Sequence, residues 1–356
     1  MAERVMMKGN EAIAEGAIRA GCRFFFGYPI TPQNEVPEYM SRRMPEVGGT
    51  FIQAESEVSA INMVYGAAGA GARVMTSSSS PGISLKMEGI SYAAGAELPC
   101  VIVNVCRGGP GLGGLSPSQS DYFQATKGGG HGDYRLVVFA PASVQEIIDL
   151  MYQAFVTADK YRNPVMVLAD GLLGQMMEPV TLTEVKDLQI PAKPWATTGM
   201  MNGKPQSIIN SLGLVGEDLE KINVRIQKKY QAIEANEVRF VEEDVKEADL
   251  VVVAYGTSAR VAKSAIAKAK AQGKKVGLFR PVTLWPFPSK QIKELAESGK
   301  RFLVVEMSAG QLVEDVRLAV NGRTQVGLFG KLNGTIPSVN EVYEAIIKSL
   351  TGQGVA

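Results

Sequence analysis

Two acidic residues, Glu55 and Glu57, stand two apart in QAESEVSAINMVYGAAGAGAR, at the head of a stretch otherwise built of small and apolar residues. Carboxylates in a first helical turn complement the helix dipole, which accounts for both without any chemistry. In the other reading one of them enters an apolar site, where desolvation favours its neutral form and lets it share a proton with a ligand's ring nitrogen. A hydroxyl is the next candidate. In GYPITPQNE, Pro29 and Pro32 bracket Thr31; each proline fixes its own φ and pushes the residue before it toward extended geometry, so Thr31 is rigidly aimed. Thr31 also suits an N-cap and Pro32 a first helical position, so the same residues read as an ordinary helix start, although Asn34 does not complete a capping box. Location favours a site. The turn follows CRFFF, a short strand, and the carboxyl ends of parallel strands beside helix N-termini are where open α/β sheets bind ligands.

Three further stretches carry polar groups. TSSSSPGISLKMEG places hydroxyls, Ser79 and Ser80 among them, between a strand and a small-residue helix, where they line a pocket or simply make a loop. Arg107 ends VIVNVCR and enters a glycine-rich loop with no phosphate-loop Lys-Ser/Thr ending; its guanidinium either grips a carboxylate bidentately or is merely solvated. KGGGHGDYR, around His131, is a second glycine-rich loop, long enough to cover an active site.

Counting excludes several classes. His131 is the single histidine of 356 residues, so a Ser-His-Asp triad or a multi-histidine metal site is a poor starting point, and no metal ligands are assigned to this chain. Cys22, Cys100 and Cys106 form no CxxC pair, read as buried reduced thiols, and cannot hold a four-cysteine iron–sulfur cluster alone. A net charge of +1 with 21% charged residues gives no global field toward nucleic acid or a membrane surface. No apolar run is long enough to span a bilayer and MAERVMMKGNEA lacks a signal-peptide core, so a cytoplasmic protein is expected.

The elements that must position these residues alternate. Helical patterns at 10–20, 32–43, 56–69 and 144–158 separate short apolar strands at 24–26, 50–53, 72–76, 99–105, 136–139 and 164–168. That alternation predicts an α/β fold with a mostly parallel sheet covered on both faces. The first domain is expected over 1–190. A Pro-, Gly- and Lys-rich linker with an amphipathic helix at 217–234 fills 191–245, the helix packing between domains or against a partner. A second, smaller parallel-sheet domain, expected to hold three strands, occupies 246–356.

Taken together and in order, GYPITP, the long SEVSAINMVYGAAGAGARVMTSSSSPGISLKMEG stretch, VNVCRGGPGLG, SQSDYFQATKGGGHGDYR and RPVTLWPFP resemble the alpha-type subunit of 2-oxoacid:ferredoxin oxidoreductases. The wording looks most similar to the subunit of the 2-oxoisovalerate (branched-chain) enzymes, with the 2-oxoglutarate enzymes next. The resemblance implies a thiamine diphosphate pyrimidine-binding domain followed by a transketolase C-terminal-like domain. It also implies a cofactor shared with a beta subunit that carries the diphosphate, its Mg²⁺ and an iron–sulfur cluster. Gamma and ferredoxin-like delta subunits complete larger assemblies, ferredoxin takes the electrons, coenzyme A is the co-substrate, and nucleic acid and membrane are not partners. Residue by residue, it assigns Glu57 to the aminopyrimidine N1′, which favours the ring tautomer able to deprotonate the thiazolium carbon. It likewise places Pro29, Ser79 and Ser80 against the cofactor, and Thr31, Arg107, Tyr28 and His131 against the 2-oxoacid. A substrate with a second carboxylate would call for a further cation, with Lys127 and His131 as candidates. Competing readings are the same reaction on 2-oxoglutarate, a non-catalytic assembly subunit of such a complex, and an ordinary nucleotide-binding α/β protein. The last would want a GxGxxG at the first strand or a phosphate loop, and neither is there.

Overall fold

The computed structural model describes residues 3–182, 188, 190–200, 203, 205–332 and 334–352. Met201, Asn202 and Lys204 of the expected linker, 183–187 and 189 at the end of the first expected domain, and both chain ends lie outside the described residues.

The chain alternates strands and helices in the order β1 (Glu3–Lys8), α1 (Gly9–Arg19), β2 (Phe24–Gly27), α2 (Glu35–Glu46), β3 (Thr50–Gln53), α3 (Glu57–Gly69), β4 (Val74–Ser78), α4 (Ser80–Gly95), β5 (Val101–Cys106) and α5 (Tyr122–Thr126). It continues with β6 (Val137–Phe139), α6 (Val144–Tyr161), β7 (Val165–Asp170), α7 (Gly171–Gln175) and β8 (Met177–Leu182). Six of these strands form a parallel sheet in the order β6-β7-β5-β4-β2-β3. Side chains alternate between its two faces with period two. Val101, Val103 and Val105 of β5 enter one core with Phe25, Val165 and Val167, where α1, α2 and α6 pack. Ile102 and Cys106 enter the other with Phe26, Met166 and Leu168, where α3 and α4 pack. Cys22, Cys100 and Cys106 are buried free thiols, as their apolar surroundings predict, and burial pushes Cys100 up to about 12.

An antiparallel ribbon of β1 and β8 closes the far side, pairing Glu3 with Leu182 through Lys8 with Met177. Neither strand is expected from the sequence pattern, because most of the side chains of β8 stay at least partly exposed and ERVMMK does not alternate cleanly.

The second half holds α8 (Gly216–Asn236), β9 (Phe240–Glu243), β10 (Leu250–Val253), α9 (Gly256–Lys270), β11 (Val276–Pro281), β12 (Thr283–Trp285), α10 (Ser289–Glu297), β13 (Arg301–Glu306), α11 (Leu312–Val320), β14 (Val326–Gly330) and α12 (Val339–Leu350). Its sheet runs β14-β13-β10-β11-β9, five strands rather than the three expected. The strand Phe240–Glu243 is an antiparallel edge with half-exposed residues and so lacks the buried apolar signature of its neighbours. The helix expected at 217–234 packs within the chain. Ile226, Tyr230 and Ile233 are buried, Arg225 and Lys229 pair with Glu97, and the Tyr230 ring meets Trp285 edge-on at 5.6 Å. No helix among the described residues is long and apolar enough to cross a membrane.

The halves are locked together by more than packing. β12, one residue beyond the end of β11, leaves the second sheet and adds antiparallel to β6 at the edge of the first. One core runs through both, from Ile83, Ile90 and Tyr122 to Val253, Phe279 and Leu312. At its polar rim Gln119 donates to the Tyr255 carbonyl (2.9 Å) and accepts from Ser258 Oγ (2.7 Å) and the Met307 amide (3.0 Å). Removing that carboxamide strands the buried Ser258 hydroxyl and Met307 amide, while the Tyr255 carbonyl keeps the Ala259 amide. Gln119→Ala should therefore lower the unfolding free energy of the full chain in urea by about 3 kcal/mol; a loss under about 1 kcal/mol would show that the lock lies elsewhere.

Candidate active site

The strand order puts β2 beside both β3 and β4, so the connection out of β2 runs to one face and the connection into β4 to the other. A crevice opens where neighbouring connections diverge in this way. The loops that meet there carry the residues singled out above.

After β2 the chain does not enter a helix at once. The Thr31–Pro32 peptide is cis, the Gln33 amide donates to the Ile30 carbonyl (3.0 Å), and the Pro32 carbonyl accepts from Asn10 Nδ2 (2.7 Å) and Gln175 Nε2 (2.9 Å). That carbonyl is tied to α1 and α7, so α2 begins only at Glu35 with Asn34 as its cap residue. Thr31 is thus not an N-cap and Pro32 not a first helical residue. The expected helix 32–43 becomes 35–46. Tyr28, Pro29 and Thr31 are exposed on this loop, and the Thr31 hydroxyl accepts one long bond from Asn34 Nδ2 (3.4 Å).

Arg107, 7% exposed, closes β5. Its Nη1 donates to the Thr31 carbonyl (2.9 Å), its Nη2 to the Leu112 carbonyl (3.4 Å), and its Nε is buried without a partner. The guanidinium therefore staples the β2 loop to the glycine-rich loop and leaves its Nε–H unpartnered, rather than presenting the open fork expected of a bidentate grip.

Glu57 is the first residue of α3. Ser56, its cap, accepts from the Ser59 amide at 3.2 Å. The carboxylate is 6% exposed and faces a notch in α4. A Cβ on Gly82 would stand 2.6 Å from Glu57 Oε1 and 2.1 Å from Ser78 Oγ, so only glycine leaves room for both. Ser78 Oγ and Ser79 Oγ are buried without partners. Glu55 has the other fate: exposed, it accepts from Ser59 Oγ (2.7 Å), a bond that holds its carboxyl below the usual range. Ser80 is a tie rather than a free hydroxyl, donating to Asp121 Oδ2 (2.6 Å) and accepting from the Arg107 amide (3.0 Å).

The structure brings together Glu57 with Ser78, and Thr31 with Arg107, at this sheet end. It does not bring His131 there. That ring meets Tyr92 edge-on at 6.1 Å, in a cleft of about 570 Å³ that Leu212, Leu219 and Ile226 also line. Tyr92 lies twelve residues beyond Ser80 on α4, about 18 Å along its axis. The loop itself is docked, with the Gly129 and Gly130 amides donating to the Tyr134 hydroxyl (3.2 and 2.9 Å). Lys127 pairs with Asp315 of the second half.

Sequence reasoning passed over Lys86. It is fully buried, its Nζ donating to Thr76 Oγ1 (2.7 Å) and the Ser77 carbonyl (2.9 Å), and burial pushes it down to about 7 while the Glu57 charge pulls it back up. Helical spacing held the signal, since Lys86 falls among Ile83, Met87 and Ile90 on the inward face of α4.

Known proteins resemble this chain along most of its length. The family model described as pyruvate flavodoxin/ferredoxin oxidoreductase, thiamine diphosphate-binding, matches residues 15–246, and that of pyruvate:ferredoxin oxidoreductase core domain II matches residues 248–342. Ketoisovalerate oxidoreductase subunit VorB of Methanothermobacter thermautotrophicus is 54% identical over 96% of either chain. 2-Oxoglutarate synthase subunit KorA of Archaeoglobus fulgidus is 38% identical over 93% of this chain and 96% of its own. Among solved structures, 2-oxoglutarate:ferredoxin oxidoreductase from Magnetococcus marinus, with 2-oxoglutarate, coenzyme A and succinyl-CoA bound, superposes with a TM-score of 0.88. It is 28% identical and covers 98% of this chain, which spans 65% of that longer one.

Filling the notch should displace the carboxylate. Gly82→Ala is expected to cost about 1–3 kcal/mol in unfolding free energy through overpacking, and a crystal structure of the variant should show the Glu57 carboxylate moved off Ser78. An unmoved Glu57 would mean that the notch does not set its place.

Proposed function

The chain belongs to the pyruvate flavodoxin/ferredoxin oxidoreductase family and is a subunit of a 2-oxoacid:ferredoxin oxidoreductase; from that premise we propose that its complex oxidatively decarboxylates a branched-chain 2-oxoacid of the 2-oxoisovalerate type. In this reaction the C1–C2 bond of the acid breaks with loss of CO2, the acyl carbon forms a thioester with coenzyme A, and two electrons leave singly to ferredoxin. The observation that carries the reading is the buried Glu57 carboxylate at the Gly82 notch, beside serine hydroxyls that lack partners.

Those groups fit the pyrimidine half of thiamine diphosphate. An acceptor-donor carboxyl and two unpartnered hydroxyls, all buried, match a ring that offers both hydrogen-bond donors and acceptors. When bound, thiamine diphosphate supplies the nucleophilic carbon and the electron sink for CO2 loss. Glu57 holds and moves the proton at the ring nitrogen, and Ser79 orients the ring. Ser80 and Pro29 act from behind, Ser80 through Asp121 and Arg107 and Pro29 through the stiffness of its loop. Thr31 and the free Nε of Arg107 meet the 2-oxoacid carboxylate, with Tyr28 at the rim.

Two observations favour a branched-chain acid over 2-oxoglutarate. The relative at 54% identity is named for ketoisovalerate, against 38% for one named for 2-oxoglutarate. Lys127 and His131, the cations considered for a second carboxylate, are turned to Asp315 and Tyr92 instead. Relatives of almost the same length are themselves named as subunits, which supports a beta partner holding the diphosphate, Mg²⁺ and iron–sulfur cluster. Three free buried thiols suit a cytoplasmic assembly.

The test is anaerobic reduction of a viologen dye, dependent on coenzyme A, by the chain co-purified with its partners and thiamine diphosphate. 2-Oxoisovalerate should give the highest kcat/KM among 2-oxoisovalerate, 2-oxoglutarate, pyruvate and arylpyruvates. Preference for 2-oxoglutarate would overturn the substrate, and no reduction by a complex retaining its clusters would overturn the catalytic reading. Glu57→Gln should lower kcat by about 100-fold or more while the subunits still co-purify; full activity would remove Glu57 from the mechanism.

A further inference from the structure

Lys86 has no role in the chemistry above, yet it is 0% exposed, an expensive place for an ammonium group. It lies one turn beyond Gly82 on the same face of α4, so notch and lysine are stacked along the helix. Two of its three N–H donors are spent on β4, on Thr76 and Ser77, the residues that lead directly to Ser78 at the notch. The elements packed round it bring few titratable groups: Glu57 and the half-buried Tyr65 on α3, Glu88 and Tyr92 on the outer side of α4, and Cys106 at the end of β5. Of these, the Glu57 charge acts on it.

We propose that Lys86 is a positioning residue for Glu57: buried one turn behind the notch and tied to Thr76 and Ser77, it holds the end of β4, and through its charge the Glu57 carboxylate, in the place from which that carboxylate shares a proton with a bound ring nitrogen. The inference rests on the proposed cofactor reading for its catalytic consequence, but the pairing itself does not. A positive charge stabilises a buried carboxylate by the same Coulomb energy with which the carboxylate stabilises it. Lysine does this at a modest cost, because burial already brings it down to about 7, so near neutrality it gives up or takes a proton readily.

The first test needs no cofactor. The ordinary lysine value is 10.5 and the folded value about 7, so the unfolded chain binds more protons between them and wild-type stability rises with pH across that window. Glu57→Gln takes away the charge that supports the ammonium. The destabilisation of that variant relative to wild type, from urea unfolding of the full chain, should be greatest near pH 6, where the ammonium is left unpaired, and should shrink toward pH 9, where the lysine is neutral. A difference that stays constant from pH 6 to 9 overturns the pairing.

The second test uses the complex with its partner subunits. In Lys86→Met, the acid limb of the dye-reduction pH profile should move up by about one pH unit, and the thiamine diphosphate Kd at pH 6.5 should rise about tenfold. In a Glu57→Gln background Lys86→Met should change neither the Kd nor its pH dependence further. An unmoved acid limb with an unchanged Kd overturns the inference. If Lys86→Met fails to assemble, the stability comparison decides alone. Failure of the wild-type complex to bind thiamine diphosphate would overturn the function instead, leaving the pairing to stand or fall on the stability result.

Discussion

Most strands of the first sheet are covered by helices on both faces, and that single constraint decides where polar chemistry can appear. β5, VIVNVC, is buried at all six positions, and β4 and β7 likewise. A hydroxyl or charge placed mid-strand needs a buried polar partner, as Thr76 has in Lys86, so most of the polar side chains gather where the strands stop. Ser78 closes β4, Arg107 follows β5, Asp170 closes β7 and the Thr31 loop leaves β2. Because these ends lie side by side, Thr31 and Arg107, 76 residues apart, become neighbours.

The second half contributes rigidity to that sheet end. Asp170, pushed up by burial, caps α7 through the Leu172 and Leu173 amides (both 3.1 Å) and also accepts from Thr257 Oγ1 (2.8 Å). Gln119 and Tyr122 reach across in the same way, Tyr122 to Asp315 at 2.5 Å. Between the halves a cleft of about 470 Å³, lined by Ser84, Asp121, Gln124, Ser308 and Gln311, opens beside Gly108–Gly111. The loops that carry Arg107 and Ser80 are therefore braced from two domains, which is what holding a guanidinium by two loop carbonyls requires.

How much of this could be read from the sequence follows from where the information is stored. Burial patterning is local, so the strands near 101–105 and 164–168 and the helix at 56–69 were legible in the sequence. Glu57 was legible as a carboxylate heading a small-residue helix. The start of α2 was not, because the Pro32 carbonyl is claimed by Asn10 and Gln175, side chains 22 and 143 residues away. β12 was hidden for a similar reason, since a three-residue strand acquires meaning only beside Phe139. His131 and Lys127 read as cations near a site, but their neighbours Tyr92 and Asp315 are set by tertiary packing. Gly82 shows the limit most clearly: a glycine in a helix usually signals weakness, and here it is the space that Glu57 and Ser78 occupy.

That space raises the question of how an ionisable carboxyl is tolerated in it. Burying a lone carboxylate costs several kcal/mol, and a permanent guanidinium partner would lock it as an ion pair unable to trade protons. A lysine already brought near 7 avoids both extremes. While charged, it offsets the desolvation of Glu57; once neutral, it still bonds Thr76 and Ser77 and leaves the end of β4 in place. Thr76 and Ser77 suit this arrangement because a hydroxyl and a carbonyl accept from ammonium and amine alike. Thr76 thus serves a helix lysine and the Ser77 hydroxyl Gln33 rather than the solvent, which is how the first two residues of TSS are accommodated in a strand buried along its whole length.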